Sequence, residues 1–279
     1  MVPPSRSVLA ALGVLLVSAV GCARIGLFRA PKEPATQPAA LEDESRAVTP
    51  DVPLALSLAD DYVVRVVAGQ STCSGTLIDG QRVLTAHHCI TERDKFGEIV
   101  TRDLTPEHVR VELGGDYLPW GEVGVRAIVA PTCGHRAGEG DIAVLVLERR
   151  LVGVPTMPTA LDRAPIKGDK IEPVGFGRCD LTLDGIRRKR RAGGPIETVA
   201  PGHFRLRAAI CPGDSGGPAL TSGGKLVGVV SASAMDGDEA TLGKTEFTRL
   251  DRWRPVFANS ELIAEGTSPA ELPPIDCSN

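Results

Sequence analysis

The sequence lacks three features that would assign it to other functional classes. It has no excess of positive charge, since the formal net charge is −4 and the pI about 5.8, so nucleic acid is not an expected partner. It has no Cys-x-x-Cys pair or Cys/His cluster at zinc-binding spacing, so we expect no metal and no other cofactor. Its N-terminal apolar stretch, residues 8–20, is shorter than the roughly 20 residues that a membrane-spanning helix needs.

Apolar residues at helical spacing are also missing between the candidate strands, which argues against alternating strand and helix units. Short apolar or alternating segments broken by turn residues occur instead, at 62–67, 109–113, 142–147 and 225–230. Many short strands with frequent turns predict an all-β barrel or sandwich. Only the segment 247–262 has a pattern that predicts a C-terminal helix.

The first 22 residues have the pattern of an export signal. Arg6 is followed by the uncharged apolar stretch 8–20 and then by small residues, which predicts a signal peptide over 1–21. The sequence AVGC at 19–22 resembles the lipobox of bacterial lipoproteins, in which the cysteine is lipid-modified, although Ala19 stands where that motif usually has Leu. We therefore expect lipidation at Cys22. An ordinary signal peptide with an incidental cysteine is the alternative.

Residues 22–55 are rich in Pro, Ala and acidic side chains and lack apolar periodicity, which is typical of a flexible tether. The sequence thus predicts a signal peptide, a lipidated cysteine with its tether, and a single domain over 56–279. We expect an exported monomer, either anchored to a membrane through Cys22 at the periplasm or cell surface, or secreted.

The chain has seven cysteines, an odd number for a protein of an oxidising compartment. If Cys22 carries lipid, the remaining six can all be paired. They are Cys73, Cys89, Cys133, Cys179, Cys211 and Cys277. The sequence alone leaves their connectivity open.

Three residues have the chemistry of a nucleophilic site. Ser215 lies in CPGDSGGP at 211–218, where glycines would let backbone N–H groups approach a reacting carbonyl. A serine hydroxyl also needs a base, and His88 in VLTAHHC together with Asp141 before an apolar segment would supply the base and the carboxylate that orients it. Taken singly, each has a structural alternative: a surface turn, a structural histidine and a strand cap.

Six motifs in order resemble those of the chymotrypsin-like serine proteases. They are CSGTLI (73–78), VLTAHHC (83–89), GDIAVLVL (140–147), VGFG (174–177), CPGDSGGP (211–218) and LVGVVS (226–231). The order His, Asp, Ser is also that of this family. The resemblance implies two six-stranded antiparallel β-barrels with the site between them, and a serine endopeptidase that acts on protein or peptide substrates through an acyl-enzyme.

The resemblance also assigns roles to individual residues. Ser215 would be the nucleophile, His88 the general base and then acid, and Asp141 the residue that orients His88. The N–H groups of Gly213 and Ser215 would form the oxyanion hole. Ser231 would lie close to Asp141 and begin the segment that pairs with the substrate backbone. His87 stands where the family has a small residue.

The resemblance implies the disulfide Cys73–Cys89, the family's histidine-loop bridge. Cys211 lacks its usual partner, because residues 231–242 contain no cysteine. Cys179 lies in a loop that the family places near the serine loop. This suggests Cys179–Cys211 and leaves Cys133–Cys277, although the sequence does not fix either pair.

The specificity positions depart from those of trypsin. Ala209 stands six residues before Ser215, at the floor of the substrate pocket, where an aspartate would be needed to favour Arg or Lys. Ser233 and Thr245 align with pocket-wall positions that are glycine in open pockets. The resemblance therefore implies a narrow pocket and a preference for small or medium apolar P1 residues.

Activation and the basic segment are left open by the sequence. Zymogens of the family expose an Ile-Val-Gly-Gly amine that pairs with the aspartate before the serine, here Asp214, but the sequence contains no such segment. Cleavage after Arg46 would give an Ala-Val terminus, and a tether arginine without a role is the alternative.

The run 187–191 (RRKRR) is expected to be a solvated loop or edge strand, with an anion-binding or proteolysis site as the alternative.

Two other functions compete with the protease. A non-catalytic binding module on the same fold is one, although such proteins usually lose a triad residue or a glycine beside the serine, and none is lost here. An esterase is the other, but it would normally carry GxSxG on an α/β background, whereas Ser215 lies in GDSGG within a β pattern.

Overall fold

The computed structural model describes residues 59–114, 119–180, 186–234 and 241–277. The predicted signal peptide, the lipidation site at Cys22, the tether and Arg46 lie outside these described residues. Within the described ranges, no helix has both the length and the apolar character needed to cross a membrane.

The N-terminal half of the described chain forms a closed antiparallel barrel of six strands. The strands of this half are β1 (Val63–Ala68), β2 (Ser71–Leu77), β3 (Arg82–Thr85), β4 (Thr91–Arg93), β5 (Ile99–Asp103), β6 (Val109–Leu113), β7 (Gly121–Val129) and β8 (Ala143–Leu147). The barrel order is β1-β2-β3-β8-β7-β6, and β4 pairs with β5 in a separate ribbon. All five residues of β8 are buried, as expected for a strand of β-branched and aliphatic residues at the barrel core.

The C-terminal half forms one sheet of seven strands. These are β9 (Ile171–Gly175), β10 (Lys189–Arg190), β11 (Thr198–Val199), β12 (His203–Ala208), β13 (Pro218–Thr221), β14 (Leu226–Ser233) and β15 (Gly243–Arg249). Their order is β10-β9-β13-β14-β15-β12-β11, with every neighbouring pair antiparallel. The resemblance implied two barrels, and the described residues form one closed barrel and a second, seven-stranded sheet with two short edge strands.

The segment between the two edge strands explains why the sheet does not close with a continuous strand. It contains Gly193-Gly194-Pro195, and proline has no N–H to donate while glycine weakens a strand. Its backbone still approaches β9, because Ile171 N donates to Gly194 O over 2.9 Å. A Cβ on Gly193 would lie 2.0 Å from Ile171 O, so this close approach requires glycine. The other side of the segment is bonded as well, since Glu197 N donates to Arg205 O of β12 over 2.9 Å. The segment thus links both edges of the sheet.

The predicted C-terminal helix is present as α1 (Arg254–Ala264). Pro255 lies in its first turn, where a missing N–H has no cost. Its buried residues Val256, Phe257 and Ile263 belong to the same apolar cluster as the first barrel, and the helix contacts β3, β7 and β8. The helix thus covers the barrel built by the opposite end of the domain.

Candidate active site

His88 and Asp141 are held together by two hydrogen bonds. His88 lies in the 3₁₀ turn His87–Ile90 that follows β3, and Asp141 precedes β8 with no exposed surface. Asp141 Oδ2 lies 2.8 Å from His88 Nδ1, and Asp141 Oδ1 accepts the backbone N–H of His88 over 2.9 Å. A carboxylate only accepts, so Nδ1 carries the hydrogen and Nε2 presents its lone pair. His88 is therefore oriented as a base.

Ser231 on β14 supplies a third donor to the same carboxylate. Its hydroxyl donates to Asp141 Oδ2 over 2.5 Å, and the side chain is buried. Burial of a carboxylate is costly unless its oxygens are hydrogen-bonded, and here each oxygen has at least one donor. The resemblance placed Ser231 close to Asp141, and the structure has it in direct contact.

Ser215 lies in a loop that contacts the first barrel. Its backbone carbonyl accepts Ser74 N of β2 over 2.8 Å, while Gly216 N donates to Val230 O on β14 over 2.9 Å. Gly216 has φ +81°, and a Cβ there would lie 2.2 Å from Ser74 O. Only glycine fits that position, because both the backbone angle and the space exclude a side chain.

The two N–H groups expected to form an oxyanion hole donate to no described residue. Their directions follow from the peptide carbonyls on the other side of each bond. Pro212 O accepts Arg178 N, and Asp214 O accepts Gly217 N, both over 2.9 Å. Because a trans peptide points its C=O and N–H in opposite directions, the N–H groups of Gly213 and Ser215 face away from these partners. Both donors are thus free to bind a ligand oxygen.

The Ser215 hydroxyl is partly exposed and, among the described residues, makes no hydrogen bond to His88. His88 Nε2 lies 3.8 Å from Sγ of Cys89. The described hydrogen-bond chain therefore runs from Ser231 through Asp141 to His88. In the absence of substrate, a long contact between nucleophile and base is common and shortens in the reacting complex.

An ion pair that the sequence analysis missed lies below the serine loop. Arg191 Nε is 2.8 Å from Oδ2 of Asp214, and both side chains are almost fully buried. The carboxylate also accepts the N–H groups of Gly177 and Cys211, over 2.7 and 2.9 Å. Burial raises the pKa of the Asp214 carboxyl, and the Arg191 guanidinium and the two N–H donors oppose that rise. The RRKRR run was the available signal, but it did not single out Arg191.

The rest of the basic run is also largely paired. Lys189–Arg190 is the edge strand β10, in agreement with one of the two structural interpretations. Arg190 contacts Asp60 and Glu172, and Arg188, with a side chain only 7% exposed, pairs with Asp61. The run therefore contains an edge strand, in which Arg190 remains exposed while the side chain of Arg188 just before it is largely buried.

Two of the three predicted specificity positions, Ser233 and Thr245, are in contact. Ser233 Oγ and Thr245 Oγ1 lie 2.8 Å apart on the neighbouring strands β14 and β15. Thr245 is buried, and Ala209 has no exposed surface and no charge to offer. The two hydroxyls contact each other where glycines would leave an opening.

Three disulfides tie the loops that carry the site. The structure joins Cys73 to Cys89, Cys133 to Cys277 and Cys179 to Cys211, with Cα–Cα distances of 6.1, 6.1 and 4.9 Å. These are the pairs that the sequence analysis suggested. They use six of the seven cysteines, and the seventh is Cys22.

A closed barrel and a seven-stranded sheet, with a hydrogen-bonded His–Asp pair and a glycine-flanked serine loop, define a chymotrypsin-like fold. The solved structure of mouse neuropsin, described as a serine protease expressed in the limbic system of mouse brain, has this fold. It matches with a TM-score of 0.55 and 19% identity, over 73% of this chain and 95% of that one.

Sequence comparison then identifies the family. The trypsin family model matches residues 57–254, and the chain therefore belongs to the trypsin family. Human cathepsin G is 30% identical over 211 residues, which cover 67% of this chain and 76% of that protein. The cercarial protease of Schistosoma mansoni is 29% identical over 201 residues, which cover 61% of this chain and 74% of that protein.

Proposed function

We propose that the protein is a serine endopeptidase in which Ser215 is the nucleophile. The observation that carries this proposal is the buried Asp141, which holds Nδ1 of His88 and its backbone N–H at the same time. The free N–H groups of Gly213 and Ser215 add the electrostatic part of the site, and membership of the trypsin family favours peptidase activity.

The proposed reaction has two steps. Ser215 Oγ attacks the scissile carbonyl, and its proton passes to His88 Nε2 while the carbonyl oxygen accepts the two N–H groups. The C–N bond breaks, and His88 gives that proton to the leaving amine. Water then attacks the acyl-enzyme, His88 takes a proton from this water and returns it to Ser215 Oγ, and the acid product leaves.

The substrate class follows from the pocket positions. The contact between Ser233 and Thr245 narrows the pocket, and Ala209 provides no anion for a basic side chain. We infer a preference for small or medium apolar P1 residues in protein or peptide substrates. A library of P1 variants tests this inference, and a strong preference for Arg or Lys would contradict it.

We also propose that the enzyme is active without proteolytic processing. In the family's zymogens a newly released amine pairs with the residue equivalent to Asp214, whereas here Arg191 holds that carboxylate from within the chain. Labelling of the uncleaved protein by an active-site probe would support this proposal. Labelling that appears only after limited cleavage near Arg46 would contradict it.

The location of the protein is a separate proposal. Three disulfides are typical of an oxidising compartment, which supports export. Six paired cysteines leave Cys22 for the lipid anchor that its sequence context suggests. Cys22→Ala should release the protein from the membrane fraction, and unchanged membrane association would argue against the anchor.

A fluorophosphonate probe tests the central proposal. It should label the purified protein, and Ser215→Ala should abolish labelling because the probe reacts only with an activated serine. A matched control is Ser222→Ala, which changes a serine on the turn after β13. Absence of labelling in the wild type, before and after cleavage near Arg46, would favour the binding-module alternative.

A further inference from the structure

Three metal-ligating side chains meet next to the candidate active site. His87 adjoins His88 in the 3₁₀ turn, Asp103 ends β5, and His135 lies in the loop before β8. The Nε2 atoms of His87 and His135 lie 2.7 and 3.4 Å from the same oxygen, Oδ1 of Asp103. The ligand atoms all lie within 4.8 Å of one another, and the two rings are 4.2 Å apart. No sequence motif indicates this cluster, because its members come from three separate segments.

Both ring nitrogens of His87 face acceptor atoms. Its ring is fully buried, with Nδ1 2.6 Å from the Cys133 carbonyl oxygen and Nε2 2.7 Å from the Asp103 carboxylate. A neutral imidazole has a single N–H, which can serve only one of these two acceptors. A cation bound between Nε2 and Asp103 would be a partner for both the ring lone pair and the carboxylate.

The contact with Cys133 is the kind that metal-bound histidines make. A ligating imidazole usually donates its other N–H to a carbonyl or carboxylate, which fixes the tautomer and the direction of the lone pair. His87 Nδ1 has such a partner in the Cys133 carbonyl, in a loop whose cysteine is bridged to Cys277. His87 is thus held in position for a ligand at Nε2.

The donor set selects the class of ion. Two imidazoles and one carboxylate suit Zn²⁺ and related transition metals, with a fourth position left for water. Tetrahedral Zn²⁺ bonds of about 2.0–2.1 Å place ligand atoms about 3.3 Å apart. The His135–Asp103 separation of 3.4 Å already fits, whereas the His87–Asp103 separation of 2.7 Å must lengthen. The side chains of Asp103 and His135 are 36% and 15% exposed, so an ion has access from solvent.

We propose that His87, Asp103 and His135 bind a divalent transition-metal ion, with Zn²⁺ the best match, and that the bound ion slows the reaction of Ser215. The second part follows because His87 and His88 are neighbours in one 3₁₀ turn, so that an ion bound to His87 acts on the segment that carries the proposed base. It rests on the proposed function, whereas metal binding itself does not.

Binding is tested on the purified full chain by competition for Zn²⁺ with a chromophoric chelator, and by the visible spectrum of bound Co²⁺. We use His135→Asn and Asp103→Asn because both side chains are partly exposed and the variants should fold. His108→Asn is the matched control, since His108 is an exposed histidine of the same half of the domain. We expect one ion per chain, with affinity at least about tenfold lower in the two cluster variants and unchanged in the control. No binding by the wild type, or unchanged affinity in His135→Asn, would overturn the site.

Coupling to the active site is tested by the rate of fluorophosphonate labelling with and without Zn²⁺. We expect Zn²⁺ to slow labelling of the wild type and of His108→Asn by about tenfold, and to leave His135→Asn unaffected. Equal slowing in His135→Asn would mean that the ion acts on His88 directly and would overturn the coupling. If the wild type is not labelled at all, the proposed function fails while the chelator measurement still decides the metal site.

Discussion

The two halves of the candidate site are held in different ways. On the His88 side, a closed barrel and direct side-chain hydrogen bonds from His88 and Ser231 fix a buried carboxylate. On the Ser215 side, the loop is fixed by its backbone and by the buried ion pair beneath it. The geometry of the His88 side therefore depends on the direction of hydrogen bonds, and the geometry of the Ser215 side depends on charge balance in the interior. Substitutions should separate these two dependences.

The largest effect on turnover is expected from a substitution on the His88 side of the site. In Asp141→Asn the side-chain amide can donate to His88 Nδ1, which would shift the hydrogen to Nε2 and remove the base. We expect turnover to fall on the order of 10⁴-fold while the fold is retained. The kinetics of a peptide substrate and the thermal unfolding curve measure the two quantities. Asp251→Asn, which alters an acid paired with Arg249, should leave turnover unchanged. A similar loss in that control would contradict the assignment.

The Ser215 side is tested by Arg191→Met, which breaks the buried pair with Asp214. Loss of one partner of a buried pair leaves an uncompensated carboxylate, and we expect the free energy of unfolding to fall by about 3–5 kcal/mol. Urea denaturation measures the change, and labelling without urea measures the effect on Ser215.

Two further variants show whether the Arg191 effect comes from burial of charge. Arg190→Met removes pairs with Asp60 and Glu172 that are partly exposed, so it should cost about 0–1 kcal/mol. Adding Asp214→Asn to Arg191→Met should recover part of the lost stability, because the unpaired charge is removed. Equal losses of unfolding free energy in Arg191→Met and Arg190→Met would show that the buried pair contributes no more to stability than the partly exposed pairs.

The smallest effect concerns the pocket. Thr245→Gly removes the hydroxyl and methyl that face Ser233, and we expect a gain of about tenfold in kcat/KM for larger apolar P1 residues. Cleavage after alanine should change little. The ratio of the two rates is the measurement. An unchanged ratio would mean that Thr245 does not limit the pocket.

The sequence offers specific local motifs for the three candidate catalytic residues, His88, Asp141 and Ser215. The structure brings His88 and Asp141 into direct contact, and the roles of all three stay a prediction. The strands of the first barrel were predicted from alternating apolar residues, and α1 was predicted from a helical pattern near Pro255. The chymotrypsin-like fold was predicted correctly, and its second half is a seven-stranded sheet in which Gly193-Gly194-Pro195 lies between the two edge strands.

Contacts between distant segments could not be predicted in the same way. Five consecutive cations between residues 187 and 191 give no local reason to choose Arg191, since the partner Asp214 is selected only by the folded sheet. The cluster of His87, Asp103 and His135 is hidden for the same reason. Its three residues carry no shared motif, and the pairing of β4 with β5 brings Asp103 next to the turn.

The cation that pairs with Asp214 is Arg191, a residue from within the domain. This bears on the segment that precedes the domain in the sequence. Under the proposal that Arg191 takes the place of a released amine, no free amino terminus needs to enter the interior. Fusion partners, longer leaders or affinity tags at the front of the chain are then expected to leave the serine loop intact.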